Sequence, residues 1–216
     1  MTGSNNNNGD DDDCRKCVQM LEQALTSSKN FKAARLLRSL NRNQPVQLHR
    51  RASGFTAHLH DGPLQFRCKR CSSVGPEGNA RAFVMGPDEY SIVVCDRRVN
   101  TQEAMEQVVT HELMHMYDVH RLQLDLRNCS ALAYTEVRAA REAECCGSQA
   151  HQARECVRST ATHATMNLFP WRGRGCVNSV LEQAMADERP FVAKRRLTKM
   201  ATSPVQQSSS QFSSER

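Results

Sequence analysis

The chain is short of aromatic residues. Of its 216 residues, 5% are Phe, Tyr or Trp, and there is a single tryptophan. With a net charge of only +6, this argues against a nucleic-acid module, which needs stacking platforms or a dense basic face. No apolar run approaches the ~18 residues that cross a bilayer, so any membrane contact is expected to be peripheral. The N-terminus, with its Asn run and Asp10–Asp13, lacks both the apolar core of a secretory signal and the Arg-rich pattern of a matrix presequence. Taken alone, that favours a cytosolic or nuclear address. There is also no glycine-rich phosphate loop. The length suits one domain with a modest core and mobile ends.

Against these shortages stands a surplus of cysteine. The ten fall as Cys14-x-x-Cys17, Cys68-x-x-Cys71, Cys95, Cys129, Cys145, Cys146, Cys156 and Cys176. A reduced compartment rarely supports so many. The two C-x-x-C pairs can build a four-cysteine zinc site, but their spacing is long for one. Disulfides to cysteines elsewhere are the preferred reading, with connectivity left open.

The chemistry is concentrated in residues 110–120, Thr-His-Glu-Leu-Met-His-Met-Tyr-Asp-Val-His. His111-Glu112-Leu113-Met114-His115 is an H-E-x-x-H motif. Residues four apart share one helical face, so His111 and His115 can aim two imidazoles at one Zn²⁺. Glu112 is placed to serve as the base for a metal-held water. The bland alternative, an amphipathic helix with two polar histidines, fits poorly. Val108, Val109, Leu113, Met114 and Met116 predict a largely buried helix, and buried His and Glu need partners. The motif implies a metal-dependent hydrolase, with a peptidase foremost. Asn100 or Thr101 is the expected N-cap of a helix over 101–120.

A catalytic zinc takes a third protein ligand. Asp118 shares the histidine face, but its side chain is short. Glu136, in Tyr134-Thr135-Glu136-Val137-Arg138, lies on a second predicted helix after a turn at 128–130. A Glu about twenty residues beyond the second His matches the thermolysin-like zincins. Glu136 is therefore the expected ligand, with Asp118 orienting a histidine. The competing reading pairs Glu136 with Arg138 or Arg141 on a solvated face. Tyr117 and His120 are candidates for stabilising an oxyanion.

The ordered set Cys68-Lys69-Arg70-Cys71, Ile92-Val93-Val94-Cys95, Thr110–Asp118, Cys129, Glu136–Ala140, Cys145 and Cys156-Val157-Arg158 resembles a known family. It is that of the mitochondrial inner-membrane zinc metalloproteases that process and help assemble ATP synthase, described in animals as Ku-binding proteins. The resemblance covers roughly residues 14–190. It implies a zinc endopeptidase of the intermembrane space, peripheral to the inner membrane, with a membrane subunit of ATP synthase as substrate. It carries His111 and His115 over as ligands and Glu112 as the catalytic residue. Oxidative trapping of cysteines in that compartment would reconcile the cysteine count with the absent presequence. Cys146, directly after Cys145, departs from the pattern. Two rivals remain: an assembly chaperone with dispensable proteolysis, and a zinc-binding nucleic-acid module built on the C-x-x-C pairs.

The expected fold is α+β and zincin-like, a small antiparallel sheet packed with the active-site helix and further helices. Residues 1–13 are expected to be a disordered acidic tail, 14–189 the protease domain, and 190–216 a disordered basic, Ser-rich tail. Helical periodicity over 14–40 breaks at 27–30. Residues 41–53 read as a basic loop, 55–60 and 64–68 as strands, and 82–85 with 90–95 as a hairpin. That hairpin is the expected place for substrate to add as a strand. Helices are expected at 130–145, 149–166 and 176–187. His58 and His60, alternating on a strand, are read as surface histidines rather than a second metal site.

Overall fold

The structure is a computed structural model. It describes residues 8–27, 31–74, 77–86 and 88–191. Two helices, α1 (Asn8–Thr26) and α2 (Phe31–Leu40), precede five strands: β1 (Gln47–Arg51), β2 (Gly54–Leu59), β3 (Gly62–Lys69), β4 (Ala82–Met85) and β5 (Ser91–Cys95). Four helices follow: α3 (Gln102–Leu122), α4 (Cys129–Glu142), α5 (Ala150–Leu168) and α6 (Gly173–Ala186). Helix α1 starts upstream of Cys14, so residues 8–13, expected in the disordered tail, are helical. Asp13 there pairs with Arg97 at 3.1 Å, a long-range contact that the local acidic composition does not reveal. Residues 1–7, 28–30, where the helical break was expected, and most of 190–216 lie outside the described residues.

The sheet order is β1-β2-β3-β5-β4. It is mixed, not purely antiparallel. Strand β5 runs parallel to β3, with Phe66 opposite Ile92, and antiparallel to β4, with Val84 opposite Ile92. The chain leaves β3, crosses to the far edge to form β4, and returns as β5 into the gap between them. The expected hairpin is present, but its returning strand is an inner one. All five residues of β5 are buried, as an inner strand covered on both faces requires. Strand β1 replaces the expected basic loop. Four of its five residues are exposed, so it carries no apolar alternation to betray it.

Two packing units meet at α3 and α4. The larger joins α1, α2, the sheet and α3 through Leu21, Leu36, Phe66, Ile92, Met105 and Leu113. The smaller joins α4, α5 and α6 through Ala133, Val137, Val157, Val177 and Leu181. Each is cross-linked by two disulfides. Cys17–Cys68 ties α1 to β3, and Cys71–Cys95 ties the β3–β4 connection to β5. Cys129–Cys176 joins α4 to α6, and Cys145–Cys156 joins the α4–α5 turn to α5. Three of the four C-x-x-C cysteines, Cys17, Cys68 and Cys71, are thus spent on disulfides, not on a zinc site. Cys14 and Cys146 form no disulfide.

Candidate metal centre

Helix α3 starts as its sequence dictates. Thr101 is the N-cap, and its side chain accepts from the Ala104 N–H at 3.1 Å. Helix α4 starts at Asn128, whose side-chain oxygen accepts from Ser130 and Ala131. These caps fix where each helix begins and therefore which residues face each other at the crossing.

At that crossing His111, His115 and Glu136 converge. One potential ligand atom from each lies within 4.8 Å of the others. His111 Nε2 is 3.4 Å from Glu136 Oε2, and His115 Nε2 is 3.6 Å from Oε1. Both rings thus present Nε2 to the carboxylate. Each Nδ1 turns outward to a protein partner: Glu144 Oε2 at 3.0 Å for His111 and Thr135 Oγ1 at 3.0 Å for His115. Metal-binding histidines are held in this way, one nitrogen fixed so that the other keeps its lone pair free. Glu136 Oε2 is buried without a hydrogen-bond partner. A buried carboxylate oxygen so placed, facing two imidazole nitrogens, suits a cation. The donor set fits a divalent N/O-binding metal.

The solvated-face reading of Glu136 fails on burial and on its arginines. Glu136 is 7% exposed. Arg141 donates instead to the Ala184, Met185 and Asp187 carbonyls at the end of α6. Arg138 is wholly buried and paired with Asp118, between the rings of Tyr117 and Tyr134. Asp118 consequently touches neither histidine and stands outside the metal cluster. Its short side chain is taken by the guanidinium arriving from α4. Burial pushes its carboxyl up to about 6, against the pull of Arg138 and of the Thr135 hydroxyl. The Thr135 hydroxyl itself faces His115 Nδ1.

The electrostatics divide the histidines. Burial lowers His115 to about 4, so near pH 7 it is the neutral imidazole that a metal requires. Burial also works against charge on His111, but the Glu136 and Glu144 carboxylates outweigh it and hold its pKa well above the usual value. Burial similarly opposes ionisation of Glu136, yet the two histidines keep its pKa below the ordinary range. Glu112, 8% exposed, is raised by burial to about 7.

Glu112 and His111 open onto a cleft of about 880 Å³. Its walls include Arg81 and Ala82 at the start of β4, Glu144, and His163 and Asn167 of α5. Arg81 holds Glu144 at 3.1 Å. Neither expected oxyanion residue lines this cleft: the Tyr117 ring lies against Arg138, and the His120 ring packs on Tyr90. His163 and Asn167 are the polar side chains that α5 brings there instead. Their only trace in the sequence is polarity on a helix that is otherwise part of the scaffold. His58 packs on His49, and His60 bonds Asp61. Among the described residues the His111 group alone gathers three potential metal ligands.

The chain is 32% identical over 173 residues to the human "Mitochondrial inner membrane protease ATP23 homolog", covering 73% of this chain and 67% of that protein. It is 31% identical to the Xenopus laevis protein of the same description, covering 82% and 72%. With the Emericella nidulans "Mitochondrial inner membrane protease atp23" it shares 30% identity, covering 57% of this chain and 56% of that protein. The alignments thus span between about half and three quarters of these relatives. No solved structure matches the chain significantly. The Peptidase M76 family model, a metallopeptidase family, matches residues 15–192, and the chain belongs to that family.

Proposed function

We propose that this chain is a zinc-dependent endopeptidase of the mitochondrial intermembrane space, peripheral to the inner membrane. In this reading it processes a membrane subunit of ATP synthase and assists assembly of the membrane sector. The observation that carries the catalytic part is the convergence of His111 Nε2, His115 Nε2 and the unpartnered Glu136 Oε2, with Glu112 beside them at the cleft. The relatives' names support the location. No helix among the described residues is long and apolar enough to cross a membrane, which is compatible with peripheral attachment.

His111, His115 and Glu136 would hold the metal, leaving a position for water. When bound, Zn²⁺ acidifies that water and polarises the scissile carbonyl. Glu112 takes the water proton and returns it to the leaving amine. A carboxyl raised toward neutrality by burial is suited to both halves of that transfer. The outer edge of β4 is unpaired among the described residues and its first residue lines the cleft. Substrate can add there as an extended strand. Arg81 and Glu144 hold the wall beside His111.

Zinc content and cleavage test this together. The wild type should retain about one zinc, and Glu136→Gln should lose it. Glu112→Gln should keep the metal while cleavage falls by roughly 10²–10⁴-fold. Zinc that survives Glu136→Gln would remove that residue from the site. Cleavage that survives Glu112→Gln would remove the base. Partner assembly that persists in a cleavage-dead Glu112→Gln protein would favour the chaperone reading.

A further inference from the structure

The chain's only tryptophan is also the most exposed large apolar residue among the described residues. Trp171 is 98% exposed, and Leu168, three residues earlier, is 70% exposed. Both sit at the corner between α5 and α6, with exposed Pro170 between them. A lone exposed leucine needs no explanation. A fully exposed indole does, in a chain so poor in aromatics.

The corner is rigid. The Gly173 N–H donates to the Phe169 carbonyl at 2.8 Å, and the Cys176 N–H to that of Arg172 at 3.0 Å. Phe169 turns inward onto the smaller core. Gly173 lies so close to Met166 that a Cβ there would come within 2.9 Å of its side chain. Cys176 is bonded to Cys129. The fold therefore presents Trp171 outward on a fixed platform.

Its charge is one-sided. No Asp or Glu occurs between Glu155 and Glu182, while Arg158, Arg172 and Arg174 do. Glu155 is itself paired with Arg158 at 2.6 Å. Arg172 and Arg174 are exposed and their guanidinium groups make no ion pair among the described residues. An indole and a leucine flanked by free arginines have the chemistry of a bilayer interface, where the ring sits at headgroup level and the cations meet lipid phosphate.

We infer that the α5–α6 corner, Leu168 to Arg174, is an anchor for an anionic phospholipid surface. This deepens the peripheral-membrane reading above, by naming the surface that makes the contact. Leu168 also lines the catalytic cleft, so docking through the corner sets the mouth of that cleft at the bilayer, where a membrane-embedded chain emerges.

The sole tryptophan makes the test direct. The full zinc-loaded chain is mixed with phosphatidylcholine vesicles, with and without phosphatidylglycerol. With anionic vesicles the emission of Trp171 should shift to the blue and be quenched by brominated acyl chains. In a flotation assay Trp171→Ala should weaken vesicle binding by about tenfold or more. Arg172→Ala and Arg174→Ala should each weaken it about fivefold at low salt. Vesicle binding with unshifted emission, or binding undiminished in Trp171→Ala, would overturn the anchor while leaving peripheral attachment intact. A chain that ignores vesicles, and whose emission shifts only on adding an unfolded protein substrate, would overturn it in favour of a protein contact.

Discussion

Thr135→Val isolates the role of one hydrogen bond at the metal centre. Thr135 is wholly buried, and its Oγ1 lies 3.0 Å from His115 Nδ1. Valine keeps the shape and the branching and deletes only the acceptor. The Nδ1–H of a ring that is 8% exposed is then left without a partner, which costs about 1–3 kcal/mol. The histidine can escape by turning or by moving its proton to Nε2, and either spoils the lone pair aimed at Glu136. Loss of such a supporting partner typically lowers metal affinity roughly 10–100-fold. Competition with a zinc-binding dye should show that loss in Thr135→Val. Urea unfolding of the metal-free protein should show the smaller stability loss. Thr135→Ser, which restores the oxygen, should recover most of the affinity. A Thr135→Val protein that binds zinc like the wild type would refute the orienting role. Equal losses in Thr135→Ser and Thr135→Val would assign the effect to packing.

Two further outcomes follow from the buried polar groups and the cross-links. Arg138→Met strands the wholly buried Asp118 carboxylate and should cost about 3–5 kcal/mol in urea unfolding, most of it recovered in Arg138→Met/Asp118→Leu; a double variant no better than the single would deny the pairing. Removing Cys17–Cys68, which spans 51 residues, should cost about 4 kcal/mol, and removing Cys145–Cys156, which spans 11, about 3 kcal/mol; the reverse order in denaturant midpoints would show that loop length does not govern their contributions.

What could be read from the sequence was local in origin. The helical period places His111 and His115 on one face, Asn100 or Thr101 marks the start of α3, and the turn at 128–130 marks that of α4. Glu136 was reachable because the motif requires a third donor and the next helix offers one carboxylate at a suitable distance. Thr135 and Glu144 were not legible. Their relation to the histidines depends on how α3 crosses α4, and neither residue type announces a partner some twenty or thirty positions away. The pairing of Asp118 was hidden for a related reason: it shares the helical phase of the histidines, but Arg138 from the facing helix takes its carboxylate. Strand β1 escaped because an exposed edge shows no alternation. The parallel β3–β5 pair escaped because the hairpin signal around residue 86 is the same whether the returning strand ends at an edge or inside the sheet. Cysteine pairing is likewise set by three-dimensional proximity, which spacing does not encode.

The two packing units are each braced covalently. Each disulfide staples residues within one unit, whereas the candidate metal ligands straddle the boundary, two histidines from α3 and a glutamate from α4. A bound ion would act as a reversible rivet between halves that are each covalently braced. Its removal would leave both halves folded and loosen the joint between them. A chelator should therefore expose the α3–α4 seam to hydrogen exchange before it exposes either core, and metal supply would decide when the two halves lock into one body.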